Sequence, residues 1–149
     1  MPIERVVVTD TASSITVEQA RSMGIHLIPL HIIWPDKTQS LDTDFHDNPK
    51  SFYERMEGFR INGQGLPSTS APSRGEFFDA YDQLYKQGIR EVASVHMAGS
   101  KSATYASAEA GAIMAIREYP DLAIKTIDSG TISLAQLFIA QSAAEMIQT

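Results

Sequence analysis

Two hydroxyl-rich stretches hold most of the chemistry in this chain: Leu66-Pro67-Ser68-Thr69-Ser70-Ala71-Pro72-Ser73-Arg74-Gly75-Glu76-Phe77 and Ser94-Val95-His96-Met97-Ala98-Gly99-Ser100-Lys101-Ser102-Ala103-Thr104-Tyr105. Each runs into a predicted helix start. Serine and threonine in that setting offer hydroxyls, free backbone N–H groups and the positive end of a helix dipole to a small anion. Neither stretch pairs a nucleophile with an evident base, so the pattern points to binding, and no residue is assigned a catalytic role. Ser73-Arg74-Gly75-Glu76 also fits a capping box, which accounts for Ser73 as a helix start and nothing more. One helix start needs one cap, and Ser68, Thr69 and Ser70 are left over for another task.

Other reactive side chains read more plainly. His96 ends an apolar run beside Met97, the setting of a hydrogen-bonded packing residue. Asp10 and Asp128 also end apolar runs, where a carboxylate caps a following helix or orients loop backbone, and the sequence offers neither a base nor a nucleophile as partner. Asp42, Asp44, His46 and Asp47 match no dedicated cation loop and read as solvated surface, so neither a metal nor a cofactor is expected. There is no G-x-x-x-x-G-K-[ST] and no G-x-S-x-G, and Gly63-Gln64-Gly65 is only a fragment of a dinucleotide fingerprint.

These residues must be held by elements that the hydrophobic pattern outlines. Residues 5–10 form a β-branched run, as in a strand buried on both faces of a parallel sheet. Thr16-Val17-Glu18-Gln19 is a second capping box, opening a helix that Gly24 stops. Residues 25–33 read as one strand, with Pro29 marking an edge or a bulge, and residues 38–41 as a short return strand. Asn48-Pro49 starts a helix whose apolar face is Phe52, Tyr53, Met56 and Phe59. A longer helix follows Ser73, with Phe77, Phe78, Tyr81, Leu84 and Tyr85 at helical spacing up to Gly88. Strands at 91–97 and 123–128 alternate with helices at 102–118 and 132–147.

The alternation indicates an α/β fold, a mostly parallel sheet with helices on both faces. Ligands of such sheets sit outside the carboxyl ends of the strands. Four loops, at 10–14, 68–73, 98–104 and 128–133, occupy or feed that edge, and all are rich in Ser, Thr or Gly.

Composition narrows the partners. A chain of 149 residues makes one domain and buries roughly two-thirds of its unfolded surface. A net charge of −6 with no Lys/Arg cluster argues against nucleic acid. There is no cysteine for disulfides or thiolate sites, and nothing in the first ten residues resembles a signal peptide, so a cytoplasmic address is expected. The longest uncharged stretch, 129–144, contains Ser133, Gln136, Gln141 and Ser142 and is too short for a membrane span.

Val8-Thr9-Asp10-Thr11-Ala12, Ile28-Pro29-Leu30, Ser51-Phe52-Tyr53-Glu54, Leu66-Pro67-Ser68-Thr69-Ser70-Ala71-Pro72, Gly75-Glu76-Phe77, Ser94-Val95-His96, Ser102-Ala103-Thr104-Tyr105 and Ile127-Asp128-Ser129 follow one another in an order that resembles the DegV family of bacterial fatty-acid-binding proteins. The resemblance implies the fold of the DegV N-terminal lipid-binding domain and a non-enzymatic carrier. That carrier sequesters a long-chain fatty acid and presents its carboxyl group to the catalytic subunit of a separate ATP-dependent fatty acid kinase, whose acyl phosphate enters phospholipid synthesis. The resemblance also implies that the chain corresponds to the first of two domains, with the second expected to be absent from it. The family's carboxylate clamp falls on Thr69 and Ser102 here, and the loops add Ser70, Thr104, Asp10 and Thr11 as further candidate contributors.

Departures from the family pattern stand at Ala71, at Ala98-Gly99, at Lys101 where an apolar residue is usual, and at Ala103. The stretch 41–48 is longer than usual. Two rival readings remain: a hydrolase or transferase acting on a small anion through His96 or Asp10, and a ligand-free oligomerisation module. The last helix bears on the second rival, because Leu134, Leu137, Phe138, Ile139, Met146 and Ile147 exceed one core-facing stripe. Such a face is expected to be covered by a second domain, or otherwise to drive self-association and leave fatty acid held weakly or not at all.

Overall fold

The computed structural model describes residues 4–148. Four strands, β1 (Glu4–Asp10), β2 (Ile25–Ile28), β6 (Ile89–His96) and β7 (Ala123–Asp128), form a wholly parallel sheet in the order β2-β1-β6-β7. Helices α1 (Val17–Ser22), α3 (Arg74–Lys86), α4 (Thr104–Glu118) and α5 (Ser133–Gln148) connect and cover it. Alternation along β1 divides the core. Val8 faces Phe77, Tyr81, Leu84, Ala108 and Ala112 of α3 and α4, while Val7 faces Ala20 of α1 and Leu137 and Ala140 of α5. Burial of Phe77, Tyr81 and Leu84 stabilises the first layer by about 1.5–3 kcal/mol each.

Both expected capping boxes are present. The Glu76 N–H donates to Ser73 Oγ at 3.2 Å, and the Ser73 N–H donates to Glu76 Oε2 at 2.8 Å. Thr16 and Gln19 exchange the same pair of bonds at 3.1 and 3.0 Å. Asn48 precedes α2 (Pro49–Ile61) without a side-chain cap.

Two expectations are corrected. The single strand read over 25–33 is two strands: β2 ends at Ile28, and β3 (His31–Ile33) belongs to a separate antiparallel sheet of order β4-β3-β5, with β4 at Gln39–Leu41. Pro29 has no N–H to continue the ladder to β1, and the chain leaves the sheet there. The segment Ser68–Ser70, read as loop, is strand β5, paired so that His31 opposes Ser70, Ile32 opposes Thr69 and Ile33 opposes Ser68. Its hydroxyl residues carry no strand pattern, and β3 supplies the pairing. Beside this small sheet, Trp34 packs against Phe45, Phe52 and Phe59 with ring centroids 5.6–5.9 Å apart.

Burial of His26 on edge strand β2 lowers its pKa below the ordinary 6.5. The unfolded chain therefore takes up a proton before the folded one as pH falls, so the stability contributed by neutral His26 is present above 6.5 and is lost below it. Urea denaturation between neutral and mildly acidic pH is expected to show this loss. His26→Gln should flatten that part of the profile, and an unchanged slope would rule out His26 as its source.

Candidate functional site

In a sheet ordered β2-β1-β6-β7, the connections leave β1 and β6 in opposite directions, which opens a crevice at their carboxyl ends. The four Ser-, Thr- and Gly-rich loops meet there. The Ala98 N–H donates to Thr131 O at 2.9 Å, the Ser129 N–H to His96 O at 3.0 Å, and the Gly99 N–H to Asp128 Oδ2 at 3.1 Å. The hydroxyls of Ser14 and Ser133 lie 3.0 Å apart.

Two clefts open over this edge. One, of about 550 Å³, runs between the β5–α3 segment and the loop before α4, and is lined by Thr69, Ser70, Ser73, Met97, Lys101 and Ser102, among others. The other, of about 460 Å³, is mostly apolar, with Ile15, Ile32, Phe45, Phe52, Tyr53 and Pro67 in its wall. Thr69 lines both. Its register opposite Ile32 puts the two side chains on one face of the small sheet.

Thr69 and Ser102, the two residues expected to form a clamp, are thus brought to one polar cleft. The Thr69 hydroxyl has no partner among the described residues. Ser102 Oγ accepts the Thr104 N–H at 3.2 Å and lies 2.8 Å from Thr104 Oγ1. With Thr104 as donor in that second contact, both acceptor positions of Ser102 are filled and its own O–H is left to donate elsewhere. Ser70 also lines the cleft, with its hydroxyl 3.2 Å from Ala71 O.

Asp10, Thr11 and Thr104 lie beneath the clefts and line neither. Thr11 Oγ1 accepts the Leu30 N–H at 3.0 Å and donates to Asp42, tying the crevice edge to the small sheet. Asp10 accepts from the Ala12 N–H at 2.9 Å, the Met97 N–H at 3.1 Å and His96 Nδ1 at 2.9 Å. The expectation that Asp10 has no base as partner is therefore corrected: His96 is that partner.

His96 Nε2 continues to Ser94 Oγ at 2.7 Å, which lies 2.8 Å from the Tyr81 hydroxyl, while the Phe77 ring meets the imidazole edge-on at 5.0 Å. With one proton on Nδ1, every member of this chain is satisfied: Tyr81 donates to Ser94, Ser94 to Nε2, and Nδ1–H to Asp10. Burial pushes the Tyr81 phenol up, and its bond to Ser94 acts against that rise. The connectivity is that of an acyl-transfer relay, but Asp10, Ser94 and His96 are each 0% exposed, so no substrate carbonyl reaches the serine. The relay ties β1 to β6 directly under the crevice.

The apolar cleft was not legible as a site. Phe52 and Tyr53 read as one helix face, and His46 as surface. Here His46 Nδ1 and Asp42 Oδ1 are buried without a hydrogen-bond partner among the described residues, and burial lifts the Asp42 carboxyl above its usual range against the opposing pull of Thr11 and His46. The signal available in sequence was the density of aromatics at positions 34, 45, 52, 53 and 59.

A family model described as "Uncharacterised protein, DegV family" matches residues 5–149. Protein DegV of Bacillus subtilis is 35% identical over 146 residues, which are 95% of this chain and 47% of that protein. A solved structure of DegV from Bacillus subtilis, described as a fatty acid binding protein, superposes with a TM-score of 0.77 at 30% identity, covering 99% of this chain and 48% of that one. A fatty-acid-binding DegV family protein from Thermus thermophilus shares the fold, with a TM-score of 0.79 at 23% identity over 98% of this chain and 48% of its own. This chain spans about half the length of the relatives it matches. No helix among the described residues is long and apolar enough to cross a membrane.

Proposed function

This chain belongs to the DegV family, and on that premise we propose that it binds a long-chain fatty acid in the cytoplasm as a non-catalytic carrier. The observation that carries the reading is the position of Thr69, which lines both the polar cleft of Ser102 and the neighbouring apolar cleft. A fatty acid needs that pairing: a small polar clamp for the carboxyl group beside a dry channel for the chain. In this reading Thr69 and Ser102 hold the carboxyl, Ser70 borders it, and Asp10, Thr11 and Thr104 keep the clamp in place. The carboxyl stays at the cleft surface, where a separate ATP-dependent kinase reaches it to form an acyl phosphate.

A second domain of the intact protein completes the enclosure by covering the apolar surface of α5, where Leu134 and Phe138 are 56% and 63% exposed. Without that cover the affinity is low, and the same surface pairs copies of the chain.

The test is mass spectrometry of an organic extract of the purified protein, followed by NMR titration of the 149-residue chain with decanoate, which registers weak binding. Little or no long-chain acid is expected to survive purification of the weakly binding chain, and the decanoate shifts should centre on Thr69 and Ser102. Thr69→Val and Ser102→Ala should each weaken binding by ~1 kcal/mol, roughly fivefold, for one neutral hydrogen bond lost. Shifts confined to another surface, or variants that bind as tightly as the parent, would overturn the reading.

A further inference from the structure

The polar cleft contains one charged side chain, Lys101. The rest of its wall is built of hydroxyl-bearing and apolar residues, so in a chain of net charge −6 the cleft presents a cation and no carboxylate. The Lys101 side chain makes no hydrogen bond or ion pair among the described residues, whereas Lys50 and Lys86 each hold an acidic partner one helical turn away. An ammonium beside two hydroxyls, with no internal anion, is a half-built ion pair.

The backbone beneath Lys101 is held in place. The Lys101 N–H closes a turn onto Ala98 O at 2.9 Å, Ala98 is tied to Thr131 O at 2.9 Å, and Gly99 is tied to Asp128 Oδ2 at 3.1 Å. A Cβ at Gly99 would stand 2.9 Å from that carboxylate oxygen, so the close approach that anchors the turn depends on glycine. Asp128 is itself held by the Gly130 N–H at 2.8 Å. The ammonium therefore extends from a fixed base beside Ser102, not from a free loop tip.

We infer that Lys101 is a specificity-determining residue of the clamp, and that it pairs with the ionised carboxylate of the ligand. The inference rests on the fatty-acid reading above and deepens it. Thr69 and Ser102 are neutral and hold a carboxylate, a protonated acid or an alcohol in much the same way, since each offers one O–H to an oxygen. Lys101 adds a contact that only the anion collects. Because the ammonium is exposed to water, the added contact is modest and is screened by salt. The ligand class that follows is an amphiphile with a single-headed anionic group, and the neutral ester or alcohol of the same chain is discriminated against.

The experiment is NMR titration of the 149-residue chain with decanoate and with decanol, at neutral pH and low salt, for the parent protein, Lys101→Met and Lys101→Arg. Methionine keeps an unbranched side chain and removes the charge. Lys101→Met is expected to weaken decanoate binding about three- to fivefold and leave decanol unchanged, while Lys101→Arg retains the parent's preference. High salt should shrink the parent's preference for the acid toward that of Lys101→Met. A Lys101→Met protein that still prefers the acid as the parent does, or that loses both ligands equally, overturns the role of Lys101 and leaves the fatty-acid reading standing. A parent that binds decanol and decanoate alike overturns it as well. A parent that binds neither removes the fatty-acid reading, and this inference with it.

Discussion

Replacing Gly111 by valine is expected to leave little folded protein, and replacing it by alanine to destabilise the fold by about 1–3 kcal/mol. Gly111 lies where α4 crosses α3, and a Cβ there would stand 2.6 Å from Phe77 Cβ, 2.9 Å from Arg74 O and 3.0 Å from Phe78 N. Two of those three atoms are backbone, and the third is the Cβ of a fully buried phenylalanine, so none gives way by a simple rotamer change. Alanine brings a helix-propensity gain of about 0.5–1 kcal/mol at the same position, and the clash exceeds it. Gly58 on α2 is the internal control, because a Cβ added there would meet nothing within 4 Å. Gly58→Ala should stabilise by about 0.5–1 kcal/mol, opposite in sign. Urea denaturation of both variants decides the matter, and a Gly111→Ala protein as stable as the parent would show that the two helices separate without penalty.

The second large effect is expected at Asp10. Asp10→Ala removes the acceptor of three bonds, from Ala12 N–H, Met97 N–H and His96 Nδ1, and strands the imidazole donor in a region closed to water and the two backbone donors in partly buried positions. The expected loss is about 3–5 kcal/mol, a large part of the roughly 5–15 kcal/mol that holds a domain together. Asp10→Asn is the sharper probe. It keeps an oxygen for Ala12 and turns an NH2 toward two donors, so it should lose much of the same stability despite an almost identical shape. His96→Asn breaks the relay while leaving Asp10 its two backbone donors. It should cost less, and where folded it should bind fatty acid within a few-fold of the parent. An Asp10→Asn protein with parental stability in thermal and urea denaturation would mean that the relay contributes nothing to joining β1 and β6.

Local signals were legible wherever the deciding bonds are local. The boxes at Thr16 and Ser73 close over three residues, and the spacing of Phe77, Tyr81 and Leu84 marks the buried face of α3, so the sequence alone determined where these helices start and what they bury. It also determined the α/β class, through the alternation of β-branched runs with helical spacing, and placed hydroxyls at the carboxyl edge. Everything that required a partner distant in the chain was decided by the tertiary structure. Asp10 and His96 are 86 residues apart, and they meet because β1 lies beside β6, an order that no local pattern encodes. Ser68–Ser70 becomes a strand because β3 offers it an edge, and β3 is free to do so because Pro29 has taken the chain out of the main sheet. The junction of the polar and apolar clefts at Thr69 has the same origin. A three-residue strand has too little pattern of its own to announce its pairing, and the sheet edge that receives it sets which residue faces both clefts.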